Sequence, residues 1–402
     1  MKYRKSLTNL AVLAVLLSGC KSQPGTNADA DGSSHDVRFK KYILTHDFLS
    51  EGVAIGDVNQ DGRPDVMAGA YWFEAPTWKQ HEVFAGKTFD GSKGYSNSFL
   101  NFSMDVDQDG WIDLVLVDFP GTPGYWYQNP RNKEGHWRKY ILHPDAVIGN
   151  ESPAFVDIDG DGRADLLYAD SQQKQMIWLQ SPQKAGDTTW TKHTISEPGA
   201  PGTDRFSHGL GYGDVNGDGR SDVVIRQGWW EGPKDPSQPN WIFHPVDLGE
   251  DCSQMHVLDV NGDGHADIVS ASAHRYGIWW HEQHRDDQGR ATWSTHTISR
   301  VFSQSHASTM ADVDGDGNVD LIVGKRYFAH NDTDMDPGHD EPAVLYWFRH
   351  TPGRAPYFHP YQIDDDSGSG LNIATGDFNA DGKVDIAVAN KKGIFVFEQV
   401  TD

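Results

Sequence analysis

The chain has 402 residues, with 34 Lys or Arg against 58 Asp or Glu, and a formal net charge of −24. So acidic a balance leaves no basic stripe to meet phosphate and argues against a nucleic-acid partner. Only two cysteines occur, Cys20 and Cys252, which excludes a disulfide framework within the domain that follows Cys20.

Residues 1–19 read as an export signal. Lys2, Arg4 and Lys5 form a positive start, and Leu10 to Leu17 form an apolar core too short to span a bilayer. The end of this stretch, Leu17-Ser18-Gly19-Cys20, resembles a bacterial lipobox, which implies cleavage before Cys20 and lipidation of its thiol. Residues 20–36 are polar and rich in Gly, Ser and Asp, the composition of a flexible tether. The expectation is an exported lipoprotein of the bacterial cell envelope, periplasmic or on the cell surface, held to the membrane at its N-terminus.

From residue 37 to residue 402 the chain is organised by a nine-residue phrase, D-x-[D/N]-x-D-G-x-x-D, which occurs seven times. Oxygen ligands at positions 1, 3, 5 and 9, with Gly at 6 for the turn, suit a hard cation of calcium size. The ligands are Asp57, Asn59, Asp61 and Asp65 in the first copy, and Asp105, Asp107, Asp109 and Asp113 in the second. Asp157, Asp159, Asp161 and Asp165 form the third, and Asp214, Asn216, Asp218 and Asp222 the fourth. Asp259, Asn261, Asp263 and Asp267 follow, then Asp312, Asp314, Asp316 and Asp320, then Asp377, Asn379, Asp381 and Asp385. The predicted cofactor is calcium, about one ion per copy, standing in for disulfides as the staple. An EF-hand is excluded: position 12 of the first copy is Ala68, and the flanks AIGDV and DVMAGAYWF read as strands.

The copies start 45 to 65 residues apart, near the length of a four-stranded propeller blade. After each loop comes an apolar strand such as DLVLV. Next comes an aromatic strand such as Tyr125-Trp126-Tyr127, and then a strand with an aromatic and, three residues on, His or Tyr, such as Trp78/His81. Because His81, His193, His244 and His296 keep step with this packing repeat, they are assigned to the blades and not to chemistry. Six such outer strands fall within the repeats. The seventh pair, Phe39/Tyr42, precedes the first loop, so residues 38–44 are predicted to complete the last blade beside roughly 371–399. The expected fold is all-β, a seven-bladed propeller of four-stranded blades closed by its N-terminal strand.

This pattern resembles the FG-GAP/VCBS repeat family, seven-bladed propellers of the kind found in integrin α-chains. The resemblance covers about residues 37–402 and implies calcium loops on one face, with ligand contacts on the opposite face or around the axis. A narrower likeness, in SQSHASTMADVDGDG (303–317) and SHGLGYGDVNGDG (207–219), is to the propeller part of fungal aldos-2-ulose dehydratase, which acts on keto-sugars.

In a propeller the first strand of each blade lines the axis. Six residues before each loop, about 20 Å back along a strand, stand Glu51, Phe99, Glu151, His208, Ser253, His306 and Leu371. Glu51, Glu151, His208 and His306 should converge there. They suit zinc or a similar ion, or serve as acid and base; they are also explained as polar fillers of a wet channel. Asn101, Gln254, His256, Gln304 and Asn372 start the same strands and are candidate ligand-binding groups. Loop 121–124, the stretch 325–339 and residues 364–370 depart from the repeat, as binding loops do.

The leading reading is a propeller that binds carbohydrate or a sugar-like ligand at its axial mouth, with metal-assisted lyase or dehydratase chemistry. In it His208, His306 and Glu151 hold the metal and Glu51 is the acid or base. The alternatives are a protein-interaction or adhesion scaffold without catalysis, and a structural surface protein. No G-x-S-x-G elbow or P-loop is present.

Overall fold

The structure, a computed structural model, describes residues 37–330 and 334–400. The signal stretch, Cys20 and the tether lie outside the described residues. The described chain is strands and turns without a helix, in one compact unit from Val37 onward.

The architecture is a β-propeller. Each repeat runs up and down through four antiparallel strands, as in Ala54–Gly56, Asp65–Ala68, Tyr71–Glu74 and Lys79–Glu82. The second strand of each repeat is mostly apolar after its leading Asp and buried on both faces, because neighbouring sheets cover it; Asp113–Val117 and Asp165–Asp170 are buried at every position. Third and fourth strands are tied by ring stacks. Trp72 lies on His81 at 4.1 Å between centroids, Trp178 on His193 at 4.3 Å and Trp229 on His244 at 4.1 Å. Glu74 and Glu231 take the outer imidazole nitrogens of His81 and His244 at 2.8 and 2.9 Å. The recurring histidines therefore belong to the blades.

Arg38–Thr45 pairs with Gly393–Val400, giving a four-stranded sheet built from both ends of the described chain. Tyr42 packs against the apolar cluster of Val53, Ala389 and Val396. One expectation is met only in part. Five sheets have four strands, while the sixth has eight. In it Leu210–Gly213 and Gln254–Leu258, the inner strands of successive repeats, run parallel and pair at Leu210/Gln254 and Gly211/Met255. Gly211 allows this approach: a Cβ there would stand 2.5 Å from the Met255 carbonyl oxygen.

The first strands of the repeats surround an axial channel of about 610 Å³, lined by groups such as Ile55, Phe102, Phe155, Tyr212 and Met310.

Candidate functional site

At one end of the inner strands lie the acidic loops. In the first, the amides of Asp61 and Gly62 donate to the two carboxylate oxygens of Asp57 at 3.0 Å each. Asp61 Oδ1 accepts from Arg63 N at 2.9 Å. The Gly at position 6 has φ near +88° in this copy, which L side chains rarely adopt. Position 9 has a duty the sequence does not reveal. Asp65 is fully buried; its oxygens accept from Val58 N within the loop at 3.0 Å and from Ala75 N beyond the next strand pair at 2.9 Å. The same bracing recurs at Asp113, Asp222 and Asp385. Burial pushes these carboxyls up, Asp113 to about 8 and Asp65 to about 7, against the pull of the amides. Oxygens of Asp105, Asp107 and Asp113 gather within 4.8 Å of one another, as do those of Asp157, Asp159 and Asp165 and those of Asp312, Asp314 and Asp316.

At the other end the inner strands begin in a polar cluster. His208 Nε2 lies 3.2 Å from His306 Nε2. Glu151 Oε2 stands 3.4 Å from His306 Nε2 and 3.7 Å from His208 Nε2. Thus three of the four predicted axial residues meet. The fourth, Glu51, is held apart by a residue that sequence reasoning missed: Arg326 donates through Nη1 to Glu151 at 3.0 Å, and its Nη2 is 3.5 Å from Glu51 Oε1. Glu51 is 1% exposed, with Ser96 Oγ as its other neighbour at 3.3 Å. Behind that guanidinium it is out of reach of a ligand at the mouth.

Three more groups complete the cluster. His274 Nε2 is 3.2 Å from His208 Nε2, and its Nδ1 is 2.8 Å from Asp336 Oδ1. Asp336 also accepts the His330 backbone N–H at 2.6 Å and lies 3.4 Å from His330 Nδ1. Asp336, His330 and Arg326 all come from the stretch 325–339, the interruption of the repeat noted in the sequence. His274 and Arg326 share a signal that could have found them. Each sits just past the end of a second strand, Asp267–Ala271 or Asp320–Gly324, in the similar triplets His274-Arg275-Tyr276 and Lys325-Arg326-Tyr327. In an antiparallel pair the end of the second strand lies beside the start of the first. The same rim therefore receives both.

The electrostatics follow from burial and pairing. Burial pushes the His306 imidazole down to about 3, helped by Arg326, and lowers His208 as well, so both rings are neutral with a lone pair to offer. Burial opposes ionisation of Glu151 and Asp336. The His306 contact and Arg326 hold Glu151 ionised nonetheless, and His274 and His330 do so for Asp336. Neutral imidazole nitrogens beside carboxylates fit a borderline divalent ion.

The remaining candidates are mostly engaged within the fold. Asn372 accepts from Val53 N at 3.0 Å and donates to Val53 O at 2.7 Å. Asn101 donates to Ser50 Oγ at 3.0 Å, and His256 Nε2 meets Ser308 Oγ at 2.9 Å. Gln254 bridges two other strands. Gln304 is different: it is fully buried with φ +56°, and its side-chain amide has no hydrogen-bond partner among the described residues. Phe99 and Leu371, at the equivalent inner-strand positions, are core residues, and Ser253 is fully buried.

Three stretches of the chain, residues 105–168, 157–225 and 259–323, match the FG-GAP-like repeat. No curated protein matches the chain. Among solved structures, BBS1N in complex with ARL6DN superposes with a TM-score of 0.55 at 10% identity, over 91% of this chain and 97% of that one. That likeness is one of fold. An Agrocybe aegerita lectin, described as recognising non-reducing terminal N-acetylglucosamine, reaches 0.48 at 15% identity over 86% and 87% of the two chains. The exotype rhamnogalacturonan lyase YesX reaches 0.46 at 11% identity over 94% and 74%.

Proposed function

We propose that this chain is an exported, lipid-anchored, calcium-binding propeller of seven blades that binds a carbohydrate or sugar-like ligand at its axial mouth and acts on it by metal-assisted lyase or dehydratase chemistry. Counting the eight-stranded sheet as two blades joined along their inner strands gives the seven. The acidic loops hold calcium, and Cys20 carries the lipid that keeps the domain at the cell envelope.

The observation that carries the axial reading is the meeting of His208, His306 and Glu151, far apart in sequence, at one rim. In this reading the two imidazoles hold a divalent ion beside Glu151. The ion, when bound, polarises a ligand oxygen. Glu51 lies behind Arg326 and takes no part in proton transfer. That task falls to His330, 35% exposed and backed by Asp336, an arrangement in which a carboxylate orients an imidazole towards an open site. Arg326 keeps Glu151 ionised and fixed.

The test is a glycan array probed with the full chain and with a His208→Ala/His306→Ala double variant, followed by turnover assays on the oxidised sugars that bind. Glycan binding by the native chain that the double variant loses is the expected result. Equal binding by both, or binding only to protein partners in pull-downs, would replace this reading with a scaffold.

A further inference from the structure

We infer that the axial site is a three-histidine centre for one transition-type divalent cation of the zinc class, ligated by the Nε2 atoms of His208, His274 and His306, with Asp336 positioning His274. This rests on the axial-site reading above. It adds a ligand from outside the inner strands and a reason for the long stretch 325–339.

The first argument is geometric. Zinc–imidazole bonds of roughly 2.0–2.1 Å at a tetrahedral angle separate the ligand nitrogens by about 3.3 Å. His208 Nε2 stands 3.2 Å from both His306 Nε2 and His274 Nε2. All three ligand atoms lie within 4.8 Å of one another. The rings meet edge-on and tilted, at 76° for His208 with His274 and 67° for His208 with His306, so the ring planes fan around a common point instead of stacking.

The second argument is tautomeric. An ionised carboxylate only accepts hydrogen bonds. Asp336 Oδ1, 2.8 Å from His274 Nδ1, therefore requires the proton on Nδ1 and leaves the His274 Nε2 lone pair facing His208. The His274 lone pair thus points at His208 Nε2, and a cation there satisfies the nitrogens that meet at this point. On binding it takes the His306 lone pair, while Arg326 keeps its Glu151 and Glu51 partners.

The third argument is selectivity. Three imidazoles without a thiolate favour zinc, cobalt, nickel or copper over calcium, whereas the acidic loops offer oxygen alone. A carboxylate on the far nitrogen of a ligating His is the usual orienting partner of such centres. Three protein ligands leave a fourth position, and Glu151 Oε2 stands near it, 3.4 Å from His306 Nε2 and 3.7 Å from His208 Nε2.

The experiment uses the full chain, stripped with chelator, resaturated with calcium and titrated with Co²⁺. The readouts are metal content and the visible absorption of tetrahedral Co²⁺. The native chain and the blade-stack variant His81→Ala should each take about one Co²⁺ with a tetrahedral spectrum. His274→Ala should lose both, and Asp336→Asn should bind about 10- to 100-fold more weakly. Retention of stoichiometry and spectrum in His274→Ala overturns the inference, as does a native chain that takes no transition ion. If His274→Ala fails to fold, the Cu²⁺-loaded native chain decides by electron paramagnetic resonance. Three coupled imidazole nitrogens support the centre; two overturn it. Glycan binding measured on the same samples separates the two readings: sugar bound without a transition ion removes the metal centre alone, and ion bound without sugar removes the ligand reading alone.

Discussion

The side-chain amide of Gln254 donates to the backbone carbonyl of Leu371 at 2.9 Å, joining inner strands 117 residues apart in sequence. The Gln254 oxygen accepts from Ser308 N at 3.0 Å, so one side chain ties three repeats beneath the histidine cluster. Gln254→Ala strips the partner from both groups. A buried polar group left unpaired costs about 1–3 kcal/mol. Urea unfolding should show a loss in that range, and an unchanged midpoint would reject the girdle as a stabilising element.

Arg326 stands between Glu51 and Glu151, with 3% of its side chain exposed. Arg326→Met removes the cation that two buried carboxylates share, and breaking a buried pair this way costs about 3–5 kcal/mol. Adding Glu51→Gln to that variant should restore part of the loss. Thermal melts of the single and double variants check this; strict additivity would contradict the shared site.

Glu51 also gives the domain a pH dependence. Burial pushes its carboxyl from 4.5 up to about 7; Arg326 and Lys391 pull it down, Glu151 pushes it up and Ser96 lowers it slightly. The folded state therefore holds the proton more tightly than the unfolded chain. This stabilisation is complete below about pH 4.5 and is lost as pH rises through 7. Glu51→Gln should flatten that part of the stability profile. Denaturant melts between pH 4.5 and 8 measure it, and an unaltered slope in the variant would refute the assignment.

Chelation should lower the melting temperature sharply. Each ion that binds only the folded state adds about 2.7 kcal/mol at a hundredfold excess over its dissociation constant. Asp214→Ala removes one loop's first ligand, together with the acceptor of the Gly219 amide at 2.8 Å. Calorimetry should find about one calcium fewer per chain. A melt indifferent to chelator would sink the calcium reading.

The stacked histidines are structural. His244→Ala removes a ring stacked on Trp229 at 16° and a 2.9 Å contact with Glu231. The stack is worth about 0.5–1.5 kcal/mol. The variant should melt lower by that order and bind metal and glycan unchanged. Loss of either activity would move the residue into the site.

Much of the fold is legible in the sequence because the repeat states it seven times. The Trp/His pairs, the apolar second strands and the pairing of Phe39 and Tyr42 with the last sheet all follow from periodicity. The parallel seam does not, since it depends on the missing Cβ atoms of Gly211 and Gly213, opposite Met255 and Val257. At the axial site, periodicity places His208, His306 and Glu151, residues at one repeat-equivalent position. It is silent on His274 and Arg326, which reach the rim from the ends of second strands, and on Asp336, which lies where the repeat is broken. It also misjudges Glu51, whose position is right but whose neighbour, Arg326, changes its role. For Asp65 and its equivalents the sequence suggests a ligand and hides a brace, because the amides that use those carboxylates carry no side-chain signature.

The pairing of Arg38–Thr45 with Gly393–Val400 has a consequence in time. A chain emerging N-terminus first exposes Tyr42 and its strand roughly 350 residues before their partner exists. The last sheet cannot form until Gly393–Val400 has emerged. Its first strand therefore waits unpaired, and for the exported chain proposed above that is the open state translocation requires.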